Sequence, residues 1–169
     1  MKYLLKLIDS GIYLLFGPFS VLFLFPRLCR EIDKHFYLIQ VNYYVDKTGV
    51  VFMWSGAALA ILCTLIMLMN KFGSVVPFFT PTKLVASGPY AIVRHPMMWA
   101  LFLVLIGESI SFMSVFTVVW FIIWMRFSHI YICKYEEPFL YRHFGDIYLQ
   151  YAQKVPRWIP GTKPGSISK

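Results

Sequence analysis

Three places in this 169-residue chain gather side chains with chemical capacity. The first is Arg94-His95-Pro96, which follows the turn signal Gly88-Pro89. Proline biases the residue before it to extended backbone and suits the first helical position, so Arg94 and His95 fall at a helix N-terminus. Free N–H groups there favour an anion such as a carboxylate. The same residues also suit an interfacial turn with a snorkelling arginine. The second place is Tyr135-Glu136-Glu137-Pro138. Two acids directly after an apolar run are costly near a bilayer unless they meet a partner or a cation. Pro138 is expected to break or restart the helix, leaving Glu136 and Glu137 beside a new N-terminus and its dipole. Neighbours on a helix project about 100° apart, so the two carboxylates need not share a task. An exposed helix cap is the plainer alternative. The third place is Glu108, the one acid between Met97 and Met125. An ionisable residue in an apolar run is a functional candidate by default. Its place near a hairpin turn suits a helix–helix hydrogen bond better than direct catalysis.

Other candidates carry less. His35, His129 and His143 share no spacing with acids or cysteines, so no metal site is expected. Cys29, Cys63 and Cys133 are odd in number and form no CxxC pair, which reads as reduced packing residues.

The elements that must position these groups are membrane helices. Hydrophobic residues make up 59% of the chain and charged residues 14%, against roughly a quarter charged in ordinary globular proteins. A soluble chain of this length could not hide so much apolar surface. A soluble globular enzyme, a disulfide scaffold and a disordered chain are excluded. The net charge of +8 is assigned to loops facing anionic headgroups and the cytoplasm. No basic stripe is interleaved with stacking aromatics, so nucleic acid is not an expected partner.

Four spans are expected. Ser10 to Pro26 is uncharged and lacks a small-x-small cleavage site, so it reads as a retained first span with a kink at Gly17-Pro18. Thr48 to Asn70 is 23 residues without a charge, where about 20 suffice to cross. Gly56, Ala57, Ala58 and Ala60 give it a small-residue face. The apolar run from Met97 to Met125 suggests a tight hairpin, with spans from about Met97 to Phe112 and from about Ser114 to Ile132. Arg126 then lies inside the fourth span and calls for a polar partner or a water-filled cavity. Cations concentrate in the N-terminus, the Lys71–His95 loop and the tail from Lys134, whereas the Arg27–Lys47 loop mixes four cations with three acids. Both termini are therefore expected in the cytoplasm, with the loop before the third span beside the tail.

Phe139 to Lys154 reads as an amphipathic helix on the cytoplasmic face, because Glu137, Tyr141, Phe144, Tyr148 and Tyr151 recur at helical steps. Gly145 interrupts it and Val155-Pro156-Arg157-Trp158-Ile159-Pro160 ends it. Packing is the favoured role of Tyr148 and Tyr151, and residues 161–169 read as a disordered tail. The fold class expected is all-α: one integral membrane domain over residues 1–169, a polytopic helix bundle of about four transmembrane helices plus the amphipathic C-terminal helix.

The strings LVASGPYAIVRHPMM, LIGESISF and KYEEPFLYRHFGDIYLQYAQKVPRWIP together resemble the isoprenylcysteine carboxyl methyltransferase and phospholipid methyltransferase superfamily. More closely, the chain looks like the short bacterial proteins placed in that superfamily. The resemblance covers roughly the second half of the chain, and the first two spans match only as apolar helices. It departs at Met98 and Ala100, where the family usually has tyrosine and glycine.

The resemblance implies binding of S-adenosylmethionine at the cytoplasmic ends of the last helices, within residues of about 84–160. By match to the family's RHP element, Arg94 and His95 contact the cofactor or the substrate acid. By match to its double-acid element, Glu136 and Glu137 help to hold the cofactor. Tyr90, Tyr148 and Arg157 match positions lining the same region. Arg94 and Glu137 are the expected catalytic pair, and Tyr90, Arg94, His95, Glu136, Glu137 and Tyr148 the expected cofactor-binding set. The implied reaction is methyl transfer to a lipophilic acceptor, a prenylcysteine-like carboxylate or a lipid, by a multi-pass protein of the bacterial inner membrane. An NADPH-dependent sterol or lipid reductase-like protein and a non-enzymatic membrane scaffold are the competing readings.

Overall fold

The computed structural model of the chain describes residues 19–35, 43–69 and 84–162. The Gly17-Pro18 kink, most of the first expected span, Lys71 to Lys83 and residues 163–169 lie outside them. The described residues contain no strand. A π-helical turn, Ser20–Leu24, leads into α1 (Phe25–His35), and α2 covers Tyr43–Met69. A 3₁₀ turn at Gly88–Ala91 precedes α3 (Pro96–Phe112) and α4 (Val115–Tyr131). A second π-helical turn, Ile132–Glu136, joins α4 to α5 (Glu137–Phe144), and α6 is Asp146–Lys154. Among the described residues, two helical stretches are long and apolar enough to cross a membrane: Lys47–Met69, and Val115–Phe144 taken as one 30-residue helix. Pro96–Phe112 is apolar but shorter.

The chain forms two compact units, Met1–Gly56 with Leu101–Ile123, and Ala57–Ala100 with Trp124–Lys169. In the first unit, Arg27 to His35 is helical rather than the loop expected from its charges. Spacing explains this, since Glu31 and Lys34 pair at 2.7 Å one turn apart. Pro26 is tolerated because the turn before it is wide. The Phe25 N–H bonds Ser20 O in the π register, so Val21 O would need the N–H that Pro26 lacks. The Trp120 indole N–H supplies that bond at 3.2 Å, and the Trp120 ring stacks on Phe25 at 4.3 Å.

The α3–α4 hairpin forms where the sequence places it. Pro96 opens α3, Met113 takes a positive φ of 44° in the turn, and Ser114 caps α4. Ser114 Oγ accepts from the Thr117 N–H at 2.9 Å and the Thr117 hydroxyl at 2.7 Å, and donates to Asp33. Close helix packing centres on a glycine the sequence reading does not single out. A Cβ on Gly49 would stand 2.5 Å from Gly107 O, and one on Gly107 would stand 2.6 Å from Gly49 O. Only glycine permits backbones to approach this closely. Gly49, Gly56 and Cys63 are buried at seven-residue spacing along α2, whereas Ala58 of the expected small face is exposed.

In the second unit, Cys63, Val85 and Tyr90 form one small core with Leu59, Ile66 and Met97 around it. Tyr148, Tyr151, Ala152 and Val155 form another, covered by Leu84, Leu140 and Phe144. Gly145, at φ 56°, divides the expected Phe139–Lys154 helix into α5 and α6. Pro138 does not restart the helix. The wide turn ahead of it carries the chain straight on, with the Glu137 N–H bonded to Ile132 O, so no free N-terminus faces the two acids. Arg126 is exposed beside Phe127 and Ile130, with no ion-pair partner among the described residues, rather than buried against a polar partner.

Candidate active site

Arg94, His95 and Arg157 converge on one carboxylate, that of Glu137. Glu137 is wholly buried, because the turn that absorbs Pro138 carries it inward. Its Oε1 accepts from Arg94 Nη1 at 2.8 Å and from Arg157 Nε at 2.9 Å. Its Oε2 accepts from Arg157 Nη2 at 2.5 Å, making the Arg157 contact bidentate. His95 Nε2 lies 3.4 Å from Oε1. Glu136 faces the other side of the same imidazole, its Oε1 at 3.5 Å from His95 Nδ1, and its side chain is 32% exposed. The two adjacent acids thus do different work, as their helical projection suggests.

Arg94 does more than pair with an acid. It is buried, and its Nε and Nη2 donate to the carbonyls of Val155 and Ala152 at 2.8 and 3.0 Å. Its backbone N–H donates to Pro156 O at 2.9 Å. The Ala152 and Val155 carbonyls end α6, where helical carbonyls lack backbone donors and a cation is favoured. One guanidinium therefore ties the strap after α6 to the loop before α3. The strap continues through Trp158. Its carbonyl accepts from Trp99 Nε1 at 2.8 Å, and its indole N–H donates to His129 Nδ1 at 3.0 Å.

The electrostatics follow from this packing. Burial works against a charged His95, but Glu136 and Glu137 outweigh it and raise its pKa above the ordinary value. Hydrogen bonding to Glu137 raises Arg157 further above its already high range. Burial pushes the Tyr90, Tyr148 and Tyr151 phenols well up, keeping all three neutral. The Tyr151 hydroxyl donates to Tyr90 O at 2.6 Å. The Tyr148 hydroxyl is buried with no hydrogen-bond partner among the described residues. The Tyr90 hydroxyl meets the Cys63 thiol instead, with no oxygen or nitrogen partner among the described residues. Tyr151 also lines an open groove of about 360 Å³ with Leu84, Ala91, Ile147 and Gln150.

The model of the phospholipid methyltransferase family matches residues 46–147, well over half of the chain. The chain belongs to that family. It is 32% identical over 80 residues to protein-S-isoprenylcysteine O-methyltransferase B of Arabidopsis thaliana, covering 46% of this chain and 40% of the plant protein. It is 39% identical over 83 residues to the protein-S-isoprenylcysteine O-methyltransferase of Schizosaccharomyces pombe, covering 46% of this chain and 33% of the yeast protein. The match spans less than half the length of either relative.

In this member of the phospholipid methyltransferase family, Arg94, His95, Glu136 and Glu137 come together as one cluster, with Arg157 as its second arginine. Tyr90 and Tyr148 each contact Tyr151, through the Tyr90 carbonyl and the Tyr148 ring, rather than joining the ionic contacts. Glu108 is buried in α3, in the first unit, and its Oε2 has no partner among the described residues. His129, Trp99 and Trp158 are missed by sequence reasoning. His129 and Trp158 lie 29 residues apart without a shared period, and the one available signal is a tryptophan with a donor N–H inside a proline-bounded strap. Among the described residues no group of three metal-ligating side chains forms.

Proposed function

We propose that the chain is an integral membrane methyltransferase that uses S-adenosylmethionine to methylate a lipophilic acceptor at the cytoplasmic face. The acceptor is a prenylcysteine-like carboxylate or a lipid. The observation that carries this reading is the buried Tyr148 hydroxyl, without a hydrogen-bond partner among the described residues and close to the charges of Glu137 and Arg94. Buried polar groups are normally paired, so an orphan hydroxyl beside a charged cluster suits a polar ligand. The donor set fits S-adenosylmethionine: the half-buried Glu136 carboxylate suits its amine or ribose donors, and the Tyr148 phenol offers a further polar contact. Bound there, it would supply a methyl group already activated on a sulfonium.

The chain's own residues then have separable tasks. Glu137 neutralises and orients Arg94 and Arg157. Arg94 fixes the strap against the loop before α3, and His95 sets the position of Glu136. Holding the reactants in line and away from water is the main contribution to a methyl transfer. A carboxylate acceptor is already a nucleophile and needs no base, whereas an amine would need its proton removed, a task suited to Glu136. The accompanying topology is four spans in the bacterial inner membrane with both termini cytoplasmic, the C-terminal helices lying along that face. The family membership and the apolar helices support this reading.

The test is a calorimetric titration of the detergent-purified protein with S-adenosylmethionine and, separately, with NADPH. Saturable binding of the former alone is expected. Binding of NADPH alone would overturn the proposal in favour of a reductase.

A further inference from the structure

Arg126 and Lys134 take no part in the cluster around Glu137, and they stand on a helix apolar enough to cross a membrane. Both side chains are exposed. Neither makes an ion pair with any described residue. Ile130, 43% exposed, sits between them in the same i, i+4, i+8 row. The neighbouring row is an aromatic ladder: Phe127, Tyr131 and Tyr135 stack at 6.4 and 5.8 Å between ring centroids. Phe127 and Tyr135 are largely exposed.

Helix geometry gives this face a depth. At about 1.5 Å per residue, Lys134 lies roughly 28 Å along the helix from Val115, close to the ~30 Å thickness of the hydrocarbon core. Arg126 lies roughly 12 Å short of Lys134, inside the hydrocarbon. An outward arginine there is costly alone, so it snorkels towards the headgroups and meets an anion. Interfacial aromatics on the next row suit the same level. We propose that this face seats an anionic phospholipid of the surrounding bilayer. Its phosphate is drawn down to Arg126 from the level of Lys134, and its chain lies along Phe127 and Ile130. The proposal goes beyond the methyl-transfer reading and rests only on this helix spanning a bilayer.

Native mass spectrometry of the full chain, delipidated in neutral detergent, tests it against phosphatidylglycerol, phosphatidylcholine and inorganic phosphate. One phosphatidylglycerol should be retained with about tenfold preference over phosphatidylcholine, the scale of one charge-assisted contact. Arg126→Gln should abolish the preference and Lys134→Gln should reduce it. Arg142→Gln, at an exposed arginine on α5, should leave it intact. Inorganic phosphate should not displace the lipid. The proposal is overturned by equal retention of both lipids, by an equal loss in Arg142→Gln, by displacement with phosphate, or by a dimer that Arg126→Gln dissolves. Should Arg126→Gln fail to fold, Lys134→Gln against Arg142→Gln decides the matter in the same assay.

Discussion

Replacing Glu137 by glutamine removes one negative charge from a place with no access to water. Three guanidinium N–H groups point at that carboxylate, two from Arg157 and one from Arg94. Glutamine keeps the shape and one acceptor oxygen, but its NH₂ group must face an arginine donor, so at least one bond becomes a clash of donors. Breaking a buried ion pair from one side costs about 3–5 kcal/mol, because the partner charge remains buried and uncompensated. Here two partners remain. Glu136→Gln is the matched control. It stands one residue away, is a third exposed, and among the described residues pairs with His95 alone, at 3.5 Å, so its loss should cost less than about 1 kcal/mol. Both variants would be unfolded by denaturant in one detergent, followed by tryptophan fluorescence. Trp158, anchored to His129 and Trp99 on the strap, is well placed to report release. Glu137→Gln should be the less stable by several kcal/mol, with its strap fluorescence changed before global unfolding. Equal stabilities, or Glu136→Gln the weaker, would show that Glu137 is not the hub of the cluster.

Tyr148→Phe should leave stability unchanged or improved, since its hydroxyl has no partner, while weakening S-adenosylmethionine binding in the titration; Tyr151→Phe should cost about 1 kcal/mol by losing its bond to Tyr90 O. Unchanged affinity in Tyr148→Phe would remove that hydroxyl from the cofactor site. The raised pKa of His95 gives stability that is fully present below its ordinary value of about 6.5 and is lost as pH rises through the higher folded value. A pH series of unfolding midpoints for the wild type and His95→Asn should therefore diverge below that window and converge above it, and parallel curves would count against an ionic role for His95.

The local rules of the sequence carry the hairpin and the motif cluster. Pro96 can only open a helix, Ser114 is a good cap, and the apolar run between them and Met125 is too long for one span, so α3 and α4 are readable in advance. Arg94, His95, Glu136 and Glu137 are visible as costly charges beside apolar runs, and their mutual satisfaction answers that cost. What escapes the sequence depends on direction and on distant partners. A run of charges from Arg27 to Lys34 reads as a loop until its i, i+3 pairing is considered. The outward face of Arg126 depends on how its helix is rotated, which apolarity on all sides leaves undetermined. The bond from Trp158 to His129 needs a strap folded back on a helix, and no periodicity encodes it.

The two proline turns show how one local rule serves two ends. Pro26 and Pro138 each stand two residues after a π-helical turn, Ser20–Leu24 and Ile132–Glu136. In both, the wider turn makes room where the proline ring would press on the carbonyl four residues back, so the helix continues instead of breaking. Near Pro26 the result is structural: a carbonyl freed from the backbone ladder is taken by Trp120. Near Pro138 the widened turn falls on the two acids themselves. It sends Glu137 into the interior against two arginines and leaves Glu136 a third exposed beside His95. A regular α-helix through the same residues would have to expel the proline or bend away from the strap. A true helix start would leave both acids competing for the same dipole. The wide turn avoids both outcomes, so the residue that reads as a terminator is what lets an apolar helix deliver one buried and one accessible carboxylate to the same place.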